Sequence, residues 1–407
     1  MTRDDEGDPP SSYRRVLSDG QIAIVLAVTF VGMLEAAIAP ALPAIASALD
    51  VSDSQAGLLV TFFKIPSILL IPAGAIVADS YGRRTVLLPS LLVFGTAGVS
   101  IAALDSFVPV LAMAFVMGAG GAVIFPITVT IIGDRCSGTT NAAAQGLRVG
   151  IVGVAAIAIP TASGYLAGLS WNYAFLLFAL AFPVAVAATL FLEETASTTD
   201  TSDGVRQLVG QYGSAIRTEL AEPNVRILVV GGFVRGFVRY AVLTFVPLFA
   251  VRVLGASVFA AGVLLSIRGV AYVVVSPTSG VVVDRVGRKA ALVGAMCLTV
   301  SVLAIPFAPT LPVLAAVVLT YFVGDALFDP VMKGTVTTLG RPEYLAGVVN
   351  SLYALKRTGQ AVSPVFFGGV LAVSGYEALF VSAGVVVLAY LALFGFRFTN
   401  ERRRTVG

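Results

Sequence analysis

The sequence predicts an all-α membrane protein with twelve transmembrane helices in two pseudo-symmetric six-helix bundles. Three observations predict it. Apolar residues are 57% of the 407 positions and charged ones 12%, whereas soluble domains carry roughly 25% charged residues. The apolar residues gather in runs of about twenty, the length that crosses the hydrocarbon core as helix. A ten-residue phrase also occurs twice, as Ala75-Ile-Val-Ala-Asp79-Ser-Tyr-Gly82-Arg83-Arg84 and as Gly280-Val-Val-Val-Asp284-Arg-Val-Gly287-Arg288-Lys289. Its two aspartates lie 205 residues apart, about half the chain.

The expected spans are 21–43, 54–78, 85–104, 108–133, 142–167, 172–192, 226–250, 257–282, 290–307, 311–338, 344–371 and 376–396. No water reaches the hydrocarbon core to satisfy backbone groups, so helix is the expected spanning element. The strands of an outer-membrane barrel would be about ten residues long and alternate in polarity, and no segment does. Short connections carrying Gly, Pro, Ser or Asp separate most spans. The spans divide the chain into a tail at 1–20, a bundle at 21–192, a linker at 193–225, a second bundle at 226–396 and a basic tail at 397–407.

With twelve spans the termini share a side. Seventeen of the 26 Lys and Arg fall on that side and Arg252 alone on the other. The positive-inside rule then places both termini in the cytoplasm of a cell in whose plasma membrane the protein sits. The polar, acidic start Met1-Thr-Arg-Asp-Asp-Glu reads as a solvated tail, not a cleavable signal. The net charge of +3 reflects the inner-face bias and gives no sign of nucleic-acid binding. Cys136 and Cys297 lie in different halves, so no disulfide is expected.

The duplication extends beyond the charged phrase. Phe125-Pro126 matches Asp329-Pro330, and Pro160-Thr-Ala-Ser-Gly164 matches Pro364-Val-Phe-Phe-Gly368, both at an offset of 204. Parallel six-helix repeats are one arrangement of secondary transporters. In the linker, Val205, Leu208, Val209, Tyr212, Ile216 and Leu220 recur at helical spacing, which predicts an amphipathic helix on the inner membrane surface that spaces the halves.

Twelve spans, two halves, a long central loop and Gly-x-x-x-Asp-x-x-Gly-Arg-Arg/Lys between spans 2 and 3 resemble the major facilitator superfamily. Gly280, Asp284, Gly287, Arg288 and Lys289 fit every position of that phrase. Asp79, Gly82, Arg83 and Arg84 fit the first copy, in which Ala75 replaces the leading glycine. The resemblance implies a conformational latch between the halves at these two loops. Physically, each aspartate can accept from a neighbouring helix N-terminus or pair with arginine, and the glycine permits the tight turn. Span 4 keeps Gly118 and Gly120 of the family's Arg-x-x-x-Gly-x-Gly pattern without its arginine, and span 5 keeps Pro160 and Gly164 of the antiporter element. Gly118, Gly120 and Gly164 suit close helix packing. Pro126, Pro160, Pro330 and Pro364 suit bends.

The ionisable residues within spans are Glu35, Lys64, Arg148, Arg235, Arg239, Arg268, Asp325, Asp329, Lys333, Lys356 and Arg357. Each is costly at a lipid-facing helix centre, by about 2.5–3.5 kcal/mol on insertion scales. They are therefore expected to face a cavity or one another. Spans 3, 6, 9 and 12, peripheral in the superfamily, have none. At about 1.5 Å per residue, Glu35, Lys64, Arg239 and Arg268 converge on the middle third of the bilayer.

Eight bases against three acids leave two readings open. One is a cavity that attracts an anion through Lys64, Arg235, Arg239, Arg268, Lys356 and Arg357, with Tyr240 on its wall. The other is internal pairing. No histidine is present, so proton coupling needs a carboxylate. Glu35 is the leading candidate and Asp325 the second, while Asp329 is expected to pair with Lys333 one turn away.

No P-loop, nucleophile arrangement or metal-ligand cluster is found, so no enzyme, cofactor or metal is expected. The expected partners are the lipid bilayer, protons and a small-molecule substrate of anionic or amphipathic character, handled by a monomer. The resemblance implies proton-coupled export by alternating access, like that of the twelve-span drug–proton antiporters. Proton-coupled uptake of a small organic or inorganic anion and a non-transporting membrane sensor or scaffold are the alternatives.

Overall fold

The computed structural model describes residues 9–195, 223–286, 288–339 and 345–404, without side chains at 9–11, 69, 72, 75–76, 223–225, 276–292, 329–350 and 395–404. Among the described residues every regular element is a helix. They are α1 (Pro9–Ser18), α2 (Gly20–Gly32), α3 (Ile38–Ala48), α4 (Asp53–Tyr81), α5 (Arg83–Ile101), α6 (Phe107–Gly121), α7 (Ile124–Arg135), α8 (Gly138–Leu169) and α9 (Ala181–Phe191). After the central linker come α10 (Pro223–Arg252), α11 (Val258–Val286), α12 (Arg288–Ala304), α13 (Leu311–Leu339) and α14 (Leu345–Arg404).

Nine stretches among the described residues are long and apolar enough to cross a membrane. The expected spans at 54–78 and 290–307 fall on α4 and on α12 with the short turn after it, which are not among the nine. Spans 344–371 and 376–396 fall on α14, whose helix is broken at Gly375, with φ 79° and ψ −178°.

Local chemistry sets the boundaries. Asp19 caps α2, its carboxylate accepting from the Gln21 N–H at 2.8 Å. Ser52 and Gln55 form a reciprocal capping box at the start of α4, at 3.2 and 2.8 Å; together they satisfy two donors that the first helical turn leaves orphaned. Gly82 separates α4 from α5 at φ +102°, a backbone region that a side chain disfavours.

The first span is not one continuous α-helix. Met33–Ala37, between α2 and α3, is a tighter 3₁₀ turn. Pro40 lies just beyond and carries no N–H to bond back into it, and Pro43 follows inside α3. The Ser163 hydroxyl, from α8, donates to the Ala37 carbonyl at 2.6 Å. In the second half Ser363 of α14 donates to Phe237 O of α10 at 2.5 Å. Each half thus ties its first helix to its fifth with a serine, one turn apart in repeat register.

Two seams join the halves: α8 packs on α11, and α4 on α14. At the first, Gly164 and Gly262 let two backbones meet. A Cβ on Gly164 would lie 2.8 Å from Gly262 Cα, a close approach of the kind small residues allow in membranes. Thr161 and Ser266 share a hydrogen bond of 2.7 Å across this seam. At the second, Thr61 Oγ1 donates to Ala361 O at 2.9 Å. One end of the bundle carries a further clasp: Arg252 pairs with Asp53 at 3.1 Å, and the Tyr376 hydroxyl donates to Asp53 at 2.7 Å.

Candidate functional site

A cavity of about 380 Å³ lies between the halves. It runs from the level of Glu35 and Lys64 toward the end of the bundle opposite the Asp53 clasp. Glu35 comes from the 3₁₀ turn, Lys64 from α4, Arg148 from α8, Arg239 and Tyr240 from α10, Arg268 and Tyr272 from α11, and Tyr353, Lys356 and Arg357 from α14. Six bases and one acid therefore line one space.

Two charge clusters are built in different ways. In the first half, Lys64 Nζ donates to Glu35 Oε2 at 2.5 Å. The Lys64 side chain is 3% exposed and the Glu35 side chain 30%, so the acid is the more open member of the pair. The Phe63 and Tyr240 rings flank the ammonium at 5.1 and 5.2 Å. Such contacts favour a desolvated cation.

In the second half, Asp325 of α13 is 1% exposed and accepts from Arg235 Nε at 2.6 Å. Arg239 lies 3.3 Å from its other oxygen. This carboxylate is enclosed between two guanidinium groups of α10. Tyr240 lines the cavity beside Arg239.

The remaining lining bases lack such acids. Arg148 donates to Gln145 at 2.9 Å and stacks on Phe125 at 4.8 Å. Lys356 lies 5.8 Å from the Tyr353 ring centre. No ion pair to Arg148, Arg268, Lys356 or Arg357 is found among the described residues, and Arg268 Nε is buried without a hydrogen-bond partner. The structure thus brings Glu35, Lys64, Arg239, Tyr240, Arg268, Lys356 and Arg357 to one chamber, with Arg235 and Asp325 directly behind Arg239. The side chains of Asp329, Pro330 and Lys333 lie outside the described residues.

The first charged loop is tied within its own half. Arg83 reaches Asp79 at 3.4 Å and Asp134, at the end of α7, at 2.6 Å. The Glu194 carboxylate accepts from the backbone N–H of Arg84 and Thr85, both at 3.1 Å, and so caps α5. A Cβ on Gly82 would collide with that carboxylate. Burial raises the Glu194 carboxyl pKa, but the N–H donors of Arg84, Thr85 and Thr195 outweigh it and hold the group below its ordinary value. Arg135 pairs with the neighbouring Glu193 at 2.9 Å. In the second copy the side chains of Gly280, Asp284, Arg288 and Lys289, and all of Gly287, lie outside the described residues; so does the linker at 196–222.

Helix contacts also explain several glycines and prolines. A Cβ on Gly118 would strike the Phe63 carbonyl, and one on Gly120 would sit 2.6 Å from Phe94 N. Pro160 and Pro364 lie inside α8 and α14. Pro126 lies in the first turn of α7, just after the helix breaks at Ala122–Val123.

Asp134, Glu193, Glu194, Ser163 and the Asp53 clasp do not stand out in the sequence. Asp53 sits one residue before its expected span, and Glu193 and Glu194 open the polar linker. A second duplication was readable: Glu35 and Arg239 stand 204 apart, the same offset as Lys64 and Arg268.

Apolar crossing helices around a charged central chamber define a multi-pass membrane transporter, not an enzyme. The model of the Major Facilitator Superfamily matches residues 24–263 and 228–407, and the chain belongs to that superfamily. Over 114 residues it is 32% identical to the bacillibactin exporter of Bacillus subtilis (strain 168), a stretch that is 26% of this chain and 28% of that one. Over 135 residues it is 27% identical to the multidrug transporter protein MdtP of the same organism, 33% of this chain and 24% of that one. The matched stretches thus span about a quarter of each relative's length. The inward-facing, unoccupied structure of a bacterial homologue of the human lysosomal transporter Spinster superposes with a TM-score of 0.75 at 17% identity, covering 93% of this chain and 96% of that one. That likeness is one of fold.

Proposed function

We propose that this transporter exports a small organic solute in exchange for protons, with Glu35 as the coupling acid. The observation that carries the reading is the Glu35–Lys64 pair on the wall of the central cavity, in which the Glu35 side chain is the more exposed member. An ionised Glu35 neutralises Lys64. Protonation of Glu35 removes that neutralisation and changes the charge of the chamber by one unit. A proton and a solute that both act on this pair compete, and competition at one site gives exchange when the chamber opens alternately to the two sides. Asp325 is the second candidate, but its enclosure by Arg235 and Arg239 favours a structural role. Asp329, whose side chain lies outside the described residues, is the third candidate.

The domain scheme goes with this reading: bundles at 21–192 and 226–396, twelve spans, both termini in the cytoplasm and the chain in the plasma membrane. On that orientation the Asp53–Arg252–Tyr376 clasp closes the outer end and the cavity faces inward. The loops around Asp79 and Asp284 latch the halves in the opposite state. A bacillibactin exporter and a multidrug transporter among the relatives support export. Six bases against one acid in the lining favour a second reading, uptake of an anion by symport with protons.

Proteoliposomes with an entrapped pH dye separate these readings. Under exchange, solute added on one side drives protons to that side, and reversing an imposed pH gradient reverses solute accumulation. Co-movement of solute and protons in one direction would replace export with symport. Flux unaffected by the gradient would remove proton coupling.

A further inference from the structure

The two halves place charged residues at equivalent positions, and the second half is short of one acid. At an offset of 204, Glu35 corresponds to Arg239 and Lys64 to Arg268. In the first half these positions hold an acid and a base, and they pair. In the second half both hold arginine. Arg239 turns to Asp325, 3.3 Å away. Arg268 makes no ion pair among the described residues, because Glu35, the one acid of the shared lining, is held by Lys64. The Arg268 Nε is buried without a hydrogen-bond partner. A half-buried guanidinium with no counter-charge in contact is unfavourable. Arg357 lines the same cavity, also without an ion pair among the described residues.

We infer that the missing acid arrives with the solute: the chamber takes an organic anion whose carboxylate, sulfonate or phosphate group binds Arg268. The inference rests on the chamber being the transport site. The planar five-donor fork of arginine suits such groups in two-point contact. Tyr240 lines the same cavity as Arg268, with its ring centre 5.2 Å from the Lys64 ammonium. Its ring gives the apolar body of the anion a face to lie on. A cavity of about 380 Å³ falls in the range that holds drug-sized molecules, about 300–1,000 Å³. The solute's acid then completes the pattern that Glu35 completes internally in the first half, and the anion is bound in the half opposite the coupling acid.

The full-length protein in detergent tests this with ligands matched in shape: 2-naphthoate, 2-naphthalenesulfonate and 2-naphthyl phosphate against neutral 2-naphthamide and cationic 2-naphthylmethylammonium. The expected result is that at least one anion raises the melting temperature and binds by calorimetry, while the amide and the amine do not. Arg268→Gln weakens that binding by roughly tenfold to a hundredfold, the range of a charge-assisted contact, and Arg268→Lys recovers part of it. Three results overturn the inference: no anion binds; the amide or amine binds as well as the anions; or Arg268→Gln binds the anions unchanged. The wild-type ligand series decides even where a variant fails to fold. Counterflow of the labelled amide without the acid would sink the anion inference and leave transport standing. Binding of the acid with no counterflow of any solute would do the reverse.

Discussion

Glu35–Lys64 and Arg235–Asp325–Arg239 occupy comparable depths in the two halves but are built for different tasks. In the first, one acid meets one base, and the acid is 30% exposed to the chamber. In the second, one acid serves two bases and is 1% exposed. A proton can reach the first carboxylate at little cost in packing. The second is shut away, and its removal strands two guanidinium groups. The duplicated fold thus separates an acid open to the chamber from an enclosed one. Neutralising the enclosed acid should damage stability, and neutralising the open one should damage coupling.

The largest effect is expected for Asp325→Asn. Breaking a buried ion cluster by removing its acid costs about 3–5 kcal/mol, so the thermal unfolding midpoint in detergent should fall steeply and the yield with it. A loss under about 1 kcal/mol would show that the cluster is as permissive as the first pair. Next is the double variant Glu35→Gln with Lys64→Met. Each single change leaves a charge unpaired, whereas the double leaves only a neutral amide. A double-mutant cycle should show a coupling of about 0.5–3 kcal/mol, with the double variant nearer wild type in stability than Lys64→Met alone.

A smaller effect is expected at the clasp. Asp53→Asn removes the charge that faces Arg252 and one of the two oxygens that accept from Arg252 and Tyr376, and should weaken closure by about 1 kcal/mol, roughly fivefold in population. Labelling of Thr61→Cys, in a background with Cys136 and Cys297 replaced by serine, should rise accordingly. Unchanged labelling would mean that the clasp does not hold that end.

The smallest effect is expected for Glu194→Gln. The folded-state pKa of this carboxyl lies below its ordinary 4.5, so its stabilisation is present above that value and lost as pH falls through the folded pKa. Wild type should be more stable than the variant at neutral pH, and the difference should fade below about pH 4.5. A difference that grows on acidification would contradict the capping role.

Much of the helical architecture was legible because membrane spans are written in composition: a helix that crosses lipid needs a long, mostly apolar run. The turn at Gly82 was legible because few residues other than glycine tolerate its backbone. The depth of Glu35, Lys64, Arg239 and Arg268 followed from helical rise. The pairings did not. Whether Arg239 turns to Glu35 or to Asp325 depends on helix rotation, which a run of apolar residues on every side of the helix does not encode. The 3₁₀ turn at Glu35 has a sequence signal in Pro40 and Pro43, but proline also marks simple bends. Glu194 was hidden for another reason. It opens a polar linker, and its capping of α5 exists only once the last helix of the first half has folded back beside the loop after α4.

The most direct measurement compares two fluxes in proteoliposomes containing wild type and Glu35→Gln: accumulation driven by an imposed pH gradient, and solute counterflow with no gradient. Loss of the first with retention of the second is the expected result. Gradient-driven accumulation equal to wild type in the variant would contradict it and remove Glu35 from the coupling mechanism.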